Sequence, residues 1–254
     1  MLNQITPVIL TYNEQANIER TLSALDWAPR IVVLDSFSDD ATEEICRRHN
    51  NVDFRQRRFD QHAQQWNYAL QLDIGTEWTM TLDADHVVSP QLCKELADLS
   101  PPDHINGYWV GFEYWINGKR LRQSLYPPLI SLHRTGTGEF QQDGHTQRIK
   151  LQGATGELNA KMIHDDRKSW SRWLQSQRNY ADQEAQKLAQ QRWSELAAAD
   201  RIRKLGIAPI VVLPFTLLIK GTLFSGWPGM IYAAQRFIAE LYLQRARVKH
   251  ALGF

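Results

Sequence analysis

Short apolar runs and helical stripes take turns along the first hundred residues. Residues 5–10 form a first apolar run, after which Ile18, Leu22 and Leu25 recur at helical spacing. Residues 31–34 are a β-branched run, 41–49 read as a helix, 52–55 as a strand and 63–72 as an amphipathic helix. A strand over 78–82 follows, then a helix opening at Pro90, whose fixed φ suits the first helical position. Runs without polar alternation belong to strands buried on both faces. Strand and helix in alternation predict right-handed crossovers and a parallel sheet covered on both sides.

The texture changes at residue 107. Up to residue 162, aromatic and β-branched residues alternate with polar ones between frequent glycines, which predicts antiparallel strands and long loops. Residues 169–192 read as one long helix, with Trp170, Trp173, Leu174, Gln177, Ala181 and Leu188 at helical intervals. Between Lys204 and Arg236 the only charge is Lys220, and Pro209, Pro214, Gly226, Pro228 and Gly229 interrupt the apolar tract. A membrane-spanning helix needs about 20 unbroken apolar residues, whereas 207–219 supplies 13 that include two prolines. The pattern predicts two short apolar elements lying in one leaflet. Arg201, Arg203, Lys204, Arg236, Arg245, Arg247 and Lys249 flank them and suit anionic headgroups. A hairpin buried in the globular core and a true span are the competing readings.

Composition narrows the class. A chain of 254 residues, 43% apolar and 22% charged, can bury a full core without disulfides or a structural metal. Cys46 and Cys93 form no CxxC pair, which fits a reducing compartment and excludes a cysteine zinc site. Residues 1–14 lack a basic segment and a long apolar stretch, so they predict a strand rather than a signal peptide, in a cytoplasmic protein. The net charge of +1 argues against a nucleic-acid binder, but it conceals a division. Residues 1–200 hold 21 basic and 27 acidic side chains; residues 201–254 hold eight basic and one acidic. Two regions are therefore expected, a domain over 1–165 carrying the chemistry and a helical, apolar and basic region over 166–254 that attaches to a membrane.

Open α/β sheets bind ligands beyond the carboxyl ends of their strands, and three such loops here are polar. They are Thr11-Tyr12-Asn13-Glu14, the stretch from Asp35 to Thr42, and Asp83-Ala84-Asp85-His86. Carboxylates at i and i+2 past a strand end can reach one hard cation, Mg²⁺ or Mn²⁺, or divide cation and ribose between them. An isolated Asp-x-Asp is equally the sequence of a plain acidic loop; the three loops in this order are more specific.

TYNE, VVLDSFSDDAT and LDADH after successive strands resemble the family 2 glycosyltransferases, and the helix QQWNYALQ is similar to the family's segment before its Asp-x-Asp strand. The later order of YPPLISLHR, DGHTQR, HDDRK and an apolar GWPG tail is similar to the lipopolysaccharide-core β-glucosyltransferase-like subgroup. The resemblance implies a GT-A fold: a Rossmann-like, mostly parallel sheet with helices on both faces, followed by a helical membrane-associating region. It also implies a nucleotide diphosphate sugar donor, with a UDP-sugar favoured, and a divalent cation. Thr11, Asn13 and Glu14 match positions lining the nucleotide pocket, Asp35 the acidic residue at the base, and Asn67 the helix beside the pocket. Asp83 and Asp85 match the Asp-x-Asp, with Asp85 the expected metal ligand. Phe37 stands where the family usually has glycine.

An inverting transfer needs a group to take the acceptor hydroxyl's proton. Asp143, in Gln142-Asp143-Gly144-His145, is the candidate, although Asp before Gly is also an ordinary turn. His145 is expected as a metal ligand, or as a contact to the diphosphate or acceptor; Thr146 follows it where related sequences often have Glu. His164 and Arg167 are expected to face the acceptor or diphosphate, while Asp165 or Asp166 could cap the next helix. The expected activity is hexose transfer to a lipid-linked or lipopolysaccharide-type acceptor in cell-envelope polysaccharide biosynthesis, at the inner face of the cytoplasmic membrane. The alternative is a non-catalytic sugar-nucleotide or membrane-surface binding relative, which Phe37 and Thr146 favour. A nucleotidyltransferase would need a glycine-rich loop that TYNEQAN lacks, and a haloacid dehalogenase-type phosphatase would need Thr where Val87 stands.

Overall fold

A computed structural model describes residues 1–144 and 146–252. The chain forms two compact units, one of residues 1–115, 126–142 and 147–167, the other of 116–125, 143–146 and 168–254. In chain order the first half runs β1 (Ile5–Thr11), α1 (Ile18–Ser23), β2 (Ile31–Asp35), α2 (Thr42–Arg47), β3 (Val52–Gln56), α3 (His62–Gln71), β4 (Trp78–Asp83), β5 (His86–Val87) and α4 (Pro90–Asp98). Then come β6 (Ile105–Val110), β7 (Phe112–Ile116), β8 (Lys119–Arg120), β9 (Leu129–Arg134), β10 (Gly138–Asp143), β11 (Thr146–Leu151), β12 (Ala154–Glu157) and β13 (Met162–His164). The remainder is helical: α5 (Trp170–Gln190), α6 (Ala198–Lys204), α7 (Ala208–Pro214) and α8 (Trp227–Ala251).

The first unit is built on a seven-stranded sheet in the order β12-β6-β9-β4-β1-β2-β3. β1 pairs in parallel with both β2 and β4, and β2 with β3. The apolar runs owe their continuity to this. Ile5, Ile9, Ile31, Val33, Met80 and Leu82 enter the core on one face, while Val8, Val32 and Leu34 meet Ala63, Trp66 and Ala69 of α3 on the other. Pro90 opens α4 as expected, with the Ser89 hydroxyl accepting the Leu92 N–H at 3.1 Å.

The region after residue 107 is mixed rather than antiparallel throughout. β9 runs antiparallel to β4 and β6, but β12 pairs in parallel with β6, and β13 in parallel with β7. β13 also pairs antiparallel with β5, so His164 lies opposite His86. Asn67 fastens the β10 strand to α3: its Nδ2 donates to the Phe140 carbonyl at 2.9 Å, and its Oδ1 accepts the Phe140 N–H at 2.7 Å.

In the second unit, the small residues Ala181, Ala185 and Ala246 let α5 and α8 lie close, with Leu188, Leu196 and Leu243 filling the seam. The buried stripe of α5 thus starts about two turns beyond its tryptophans; Trp170 is exposed and stacks on Trp173. Ser169 caps this helix through the Arg172 N–H, so neither Asp165 nor Asp166 serves as its cap. The apolar tract breaks at Pro214 into a π-helical turn (Phe215–Ile219) and a 3-10 turn (Thr222–Ser225) before α8. Gly229 is required there, because a Cβ would lie 1.7 Å from the Thr222 carbonyl oxygen. No helix among the described residues is long and apolar enough to cross a membrane.

His133 of β9 is fully buried, with Nδ1 at 3.2 Å from the Arg134 carbonyl and Nε2 without a partner. Burial pushes its pKa down to about 4, against a small upward pull from that hydrogen bond. The unfolded chain therefore binds this proton first, so stability is complete above about pH 6.5 and falls as the pH drops towards 4. Replacing His133 by Gln is expected to remove on the order of 3 kcal/mol of this acid sensitivity, measured by urea unfolding at neutral pH and near pH 4.

Candidate active site

Parallel register brings the three polar loops together. Thr11 pairs with Asp35 across β1 and β2, and Leu10 with Asp83 across β1 and β4, so all three loops leave the same edge of the sheet. The chain departs from β1 to one side and reaches β4 on the other. This makes β1/β4 the point where strand order reverses, the usual crevice of open α/β sheets.

The first two loops are stitched to each other. Asp35 is fully buried; its carboxylate accepts from the Thr11 hydroxyl at 2.9 Å, the Ser38 N–H at 2.8 Å, the Ser38 hydroxyl and Gln56 Nε2. Asn13, at φ +56°, donates its N–H to Ser38 Oγ and accepts the Asp39 N–H at Oδ1, and the Glu14 N–H donates to Thr42 Oγ1. The Ser38 turn passes through Phe37 at φ +61°, a left-handed conformation costing a non-glycine residue about 1–2 kcal/mol. That is the conformation glycine would supply, and here it leaves an aromatic ring 55% exposed, as is Tyr12 of the first loop.

At the third loop the structure assembles a cluster only partly expected. One oxygen or nitrogen from each of Asp85, His86 and His164 lies within 4.8 Å of the others, a spacing that could hold a metal ion. His164 Nε2 stands 3.8 Å from Asp85 Oδ2, and His86 Nε2 stands 3.8 Å from both Asp83 and Asp85. A ring box fixes the imidazoles. His164 stacks on Tyr114 at 4.6 Å and packs against Tyr126 at 4.5 Å, while His86 packs against Phe112 at 4.8 Å. Burial lowers the His164 pKa against the upward pull of Asp85, so at neutral pH its imidazole is an uncharged donor.

The two histidines differ as ligands. The Asp83 N–H donates to His86 Nδ1 at 3.2 Å, which places the His86 proton on Nε2. That Nε2–H is then a donor towards the Tyr126 hydroxyl at 3.1 Å and the two carboxylates, not a lone pair for a cation. Asp85 and His164 are the groups fitted to hold a divalent ion, with Asp83 beside them. His86 orients the carboxylates. A set mixing carboxylate and imidazole suits Mn²⁺ better than Mg²⁺, which prefers oxygen. His86 in this role, with Tyr114 and Tyr126, escaped the sequence reading; a histidine directly after the Asp-x-Asp was the only signal.

The segment after β13 is tied to the start of α1. Asn17 Nδ2 donates to Glu14 Oε2 and Asp166 Oδ1, and Asn17 Oδ1 accepts the Arg167 N–H. Arg20 and Arg167 both bind the buried Asp165 carboxylate, at 3.3 and 2.9 Å, so the Arg167 guanidinium is turned onto Asp165. Asn67 binds the Phe140 backbone, as described above, and His145 lies outside the described residues. Asp143 belongs to the second unit and forms a 2.7 Å ion pair with Lys187 of α5. Burial pulls Lys187 down, but its hydrogen bond to Asp143 and the charges of Glu184, Asp143 and Asp200 more than offset it, so the ammonium persists above the usual lysine range. Gly144 at φ +62° passes so close that a Cβ would lie 2.2 Å from Glu184 Oε2.

The family model described as Glycosyl transferase family 2 matches residues 6–156, more than half of the chain and all three polar loops after β1, β2 and β4. The chain belongs to glycosyl transferase family 2. No curated protein matches the sequence. Among solved structures, S. aureus TarS 1-349 matches at TM-score 0.51 and 14% identity, covering 99% of this chain and 92% of its own. Mannosyltransferase PcManGT from Pyrobaculum calidifontis, in complex with GDP-Man and Mn²⁺, matches at TM-score 0.53 and 15% identity, covering 98% and 87%. At these identities the likeness is one of fold. The family 2 chain has the GT-A-like α/β architecture anticipated for it, with a helical C-terminal region.

The ligand assignment is testable by Mn²⁺ titration followed by water proton relaxation. Asp85→Asn and His164→Ala are each expected to weaken Mn²⁺ by more than about 100-fold, and His86→Gln by about tenfold, as for a group that orients ligands. Equal losses in all three variants would make His86 a ligand.

Proposed function

We propose that this family 2 protein is a metal-dependent, inverting hexosyltransferase of the lipopolysaccharide-core β-glucosyltransferase-like type. It transfers a hexose from a nucleotide diphosphate sugar, a UDP-sugar by preference, to a hydroxyl of a lipid-linked or glycolipid acceptor, in cell-envelope polysaccharide synthesis. The observation that carries the reading is the Asp85–His164 pair set beside two stitched loops at the strand-order reversal, in a chain of this family.

Each residue has a chemical task in this reading. Asp35 fixes the loop pair from within, and Thr11, Asn13 and Glu14 shape the surface on which the nucleotide lies. Asp83 takes the ribose side. Asp85 and His164 would hold Mn²⁺ or Mg²⁺, whose charge stabilises the departing diphosphate. The acceptor oxygen forms its bond to the anomeric carbon as the bond to the diphosphate oxygen breaks, and the hydroxyl proton passes to a carboxylate. Asp143, the expected base and ion-paired with Lys187, is of the right chemical type for that step, because a base acting as the bond forms needs no raised pKa. Arg167, bound to Asp165, bears on the diphosphate only if that pair opens.

The reading includes attachment at the inner face of the cytoplasmic membrane. Apolar side chains of the C-terminal region are exposed rather than packed into a core: Ile210 is 75% exposed, Ile219 72% and Phe224 68%. A patch of this kind marks an interaction surface.

A donor screen with Mn²⁺ and membrane extract, following release of UDP, GDP or dTDP, tests the function. The wild type is expected to release one nucleotide diphosphate, and Asp85→Ala to reduce the rate by at least about 1000-fold. A donor that binds with metal and never turns over would instead identify a binding protein.

A further inference from the structure

The apolar surface of the second unit is not formed by the C-terminal tract alone. The segment 116–125, more than a hundred residues before its partners in the chain, is fastened to it: the Arg122 N–H donates to Ser225 Oγ at 3.0 Å and the Leu125 N–H to the Tyr232 hydroxyl at 2.7 Å. Lys119 Nζ then lies 5.2 Å above the Trp227 ring, and the Arg122 guanidinium 5.8 Å from the Phe224 ring centre. Both cations are exposed, as are both rings. Neither cation has a carboxylate partner among the described residues, and residues 116–125 and 205–235 contain no Asp or Glu.

Several basic residues of the tail are, by contrast, spent inside the unit. Arg203 binds Glu240 and Asp200, Lys204 donates to the Gln191 carbonyl, and Arg247 binds the Arg203 and Lys204 carbonyls. The cations available to an external anion therefore include a pair that the tail does not encode.

We propose that Lys119 and Arg122, seated over Trp227 and Phe224, form a binding site for the phosphates of anionic lipid headgroups and set the depth at which Ile210, Leu218, Ile219 and Phe224 enter one leaflet. This deepens the membrane attachment proposed above and rests on it. Cations beside half-exposed aromatic rings match the layered chemistry of a bilayer surface, with phosphates outermost, aromatic rings at the headgroup level and aliphatic side chains beneath. The broken helical path, with its π-helical and 3-10 turns, suits a segment lying in the interface. A second copy of this chain would bring the same uncompensated cations face to face, so charge favours the lipid.

The test is co-sedimentation of the full-length protein with vesicles of phosphatidylcholine alone or of phosphatidylcholine containing phosphatidylglycerol. The wild type is expected to bind the anionic vesicles, less so as salt rises, and the neutral ones weakly. Lys119→Gln with Arg122→Gln is expected to weaken anionic-vesicle binding about 20- to 30-fold, from about 1 kcal/mol per basic residue at such a surface. Phe224→Ser, at an exposed position, is expected to weaken binding to both vesicles, with circular dichroism reporting that the fold persists. Anionic-vesicle binding unchanged in the folded double variant would overturn the headgroup site. Wild type that ignores vesicles and self-associates through this face would overturn it in favour of a second copy. Nucleotide diphosphate release is assayed separately with the wild type. Its absence despite vesicle binding refutes the transferase reading alone, and vesicle indifference despite turnover refutes this one alone.

Discussion

The parallel register of β1 with β2 and β4 is the constraint on which the site depends. It sets Thr11 against Asp35 and Leu10 against Asp83, so three loops far apart in sequence emerge side by side. A slip of one residue would turn every side chain of β1 to the opposite face, exchanging Val8 and Ile9 between two cores that differ in shape and composition. Burial on both faces therefore fixes the register, and the register in turn fixes the chemistry. The loops need little further placement than the local hydrogen bonds of Asp35, Asn13 and Thr42.

Those bonds divide the polar residues into two kinds. Asp35, Asn17, Asn67 and Asp165 are committed to the protein itself, each satisfying donors or acceptors that would otherwise be costly in a buried setting. Asp83 and the His164 imidazole retain capacity for a ligand, Asp83 by exposure and His164 by neutrality. The boundary between the kinds runs within single motifs: in His164-Asp165-Asp166-Arg167 the histidine faces Asp85, while the next three residues anchor the chain to α1.

Much of this was legible in the sequence because local rules governed it. Residues 5–10, 31–34 and 78–82 announce themselves as strands, since a strand buried on both faces is largely apolar. Pro90 marks a helix start by its own fixed φ. Pairing after residue 107 was not legible: β12 beside β6 and β13 beside β7 depend on distant partners, and alternation of side chains does not distinguish parallel from antiparallel neighbours. The meeting of His86 with His164 is likewise tertiary, created when β13 adds to β5. Asn67 was legible as important and not as to its task, because a carboxamide serves a nucleotide or a neighbouring backbone equally well. The basic tail was read from net charge, which could not reveal that Arg203 and Arg247 turn inward.

The charged chain through the second unit bears on how the molecule can be taken apart. Asp143 pairs with Lys187, Lys187 and Arg203 approach Glu184, and Arg203 pairs with Glu240 on α8. Cutting the protein after α6 would leave Arg203 without Glu240 and lay bare Ala181, Ala185 and Leu188. The C-terminal region is thus no detachable anchor appended to a finished enzyme. The hairpin tip that carries Asp143 and the helix that ends the chain are members of one folding unit, and each inherits the other's mutations.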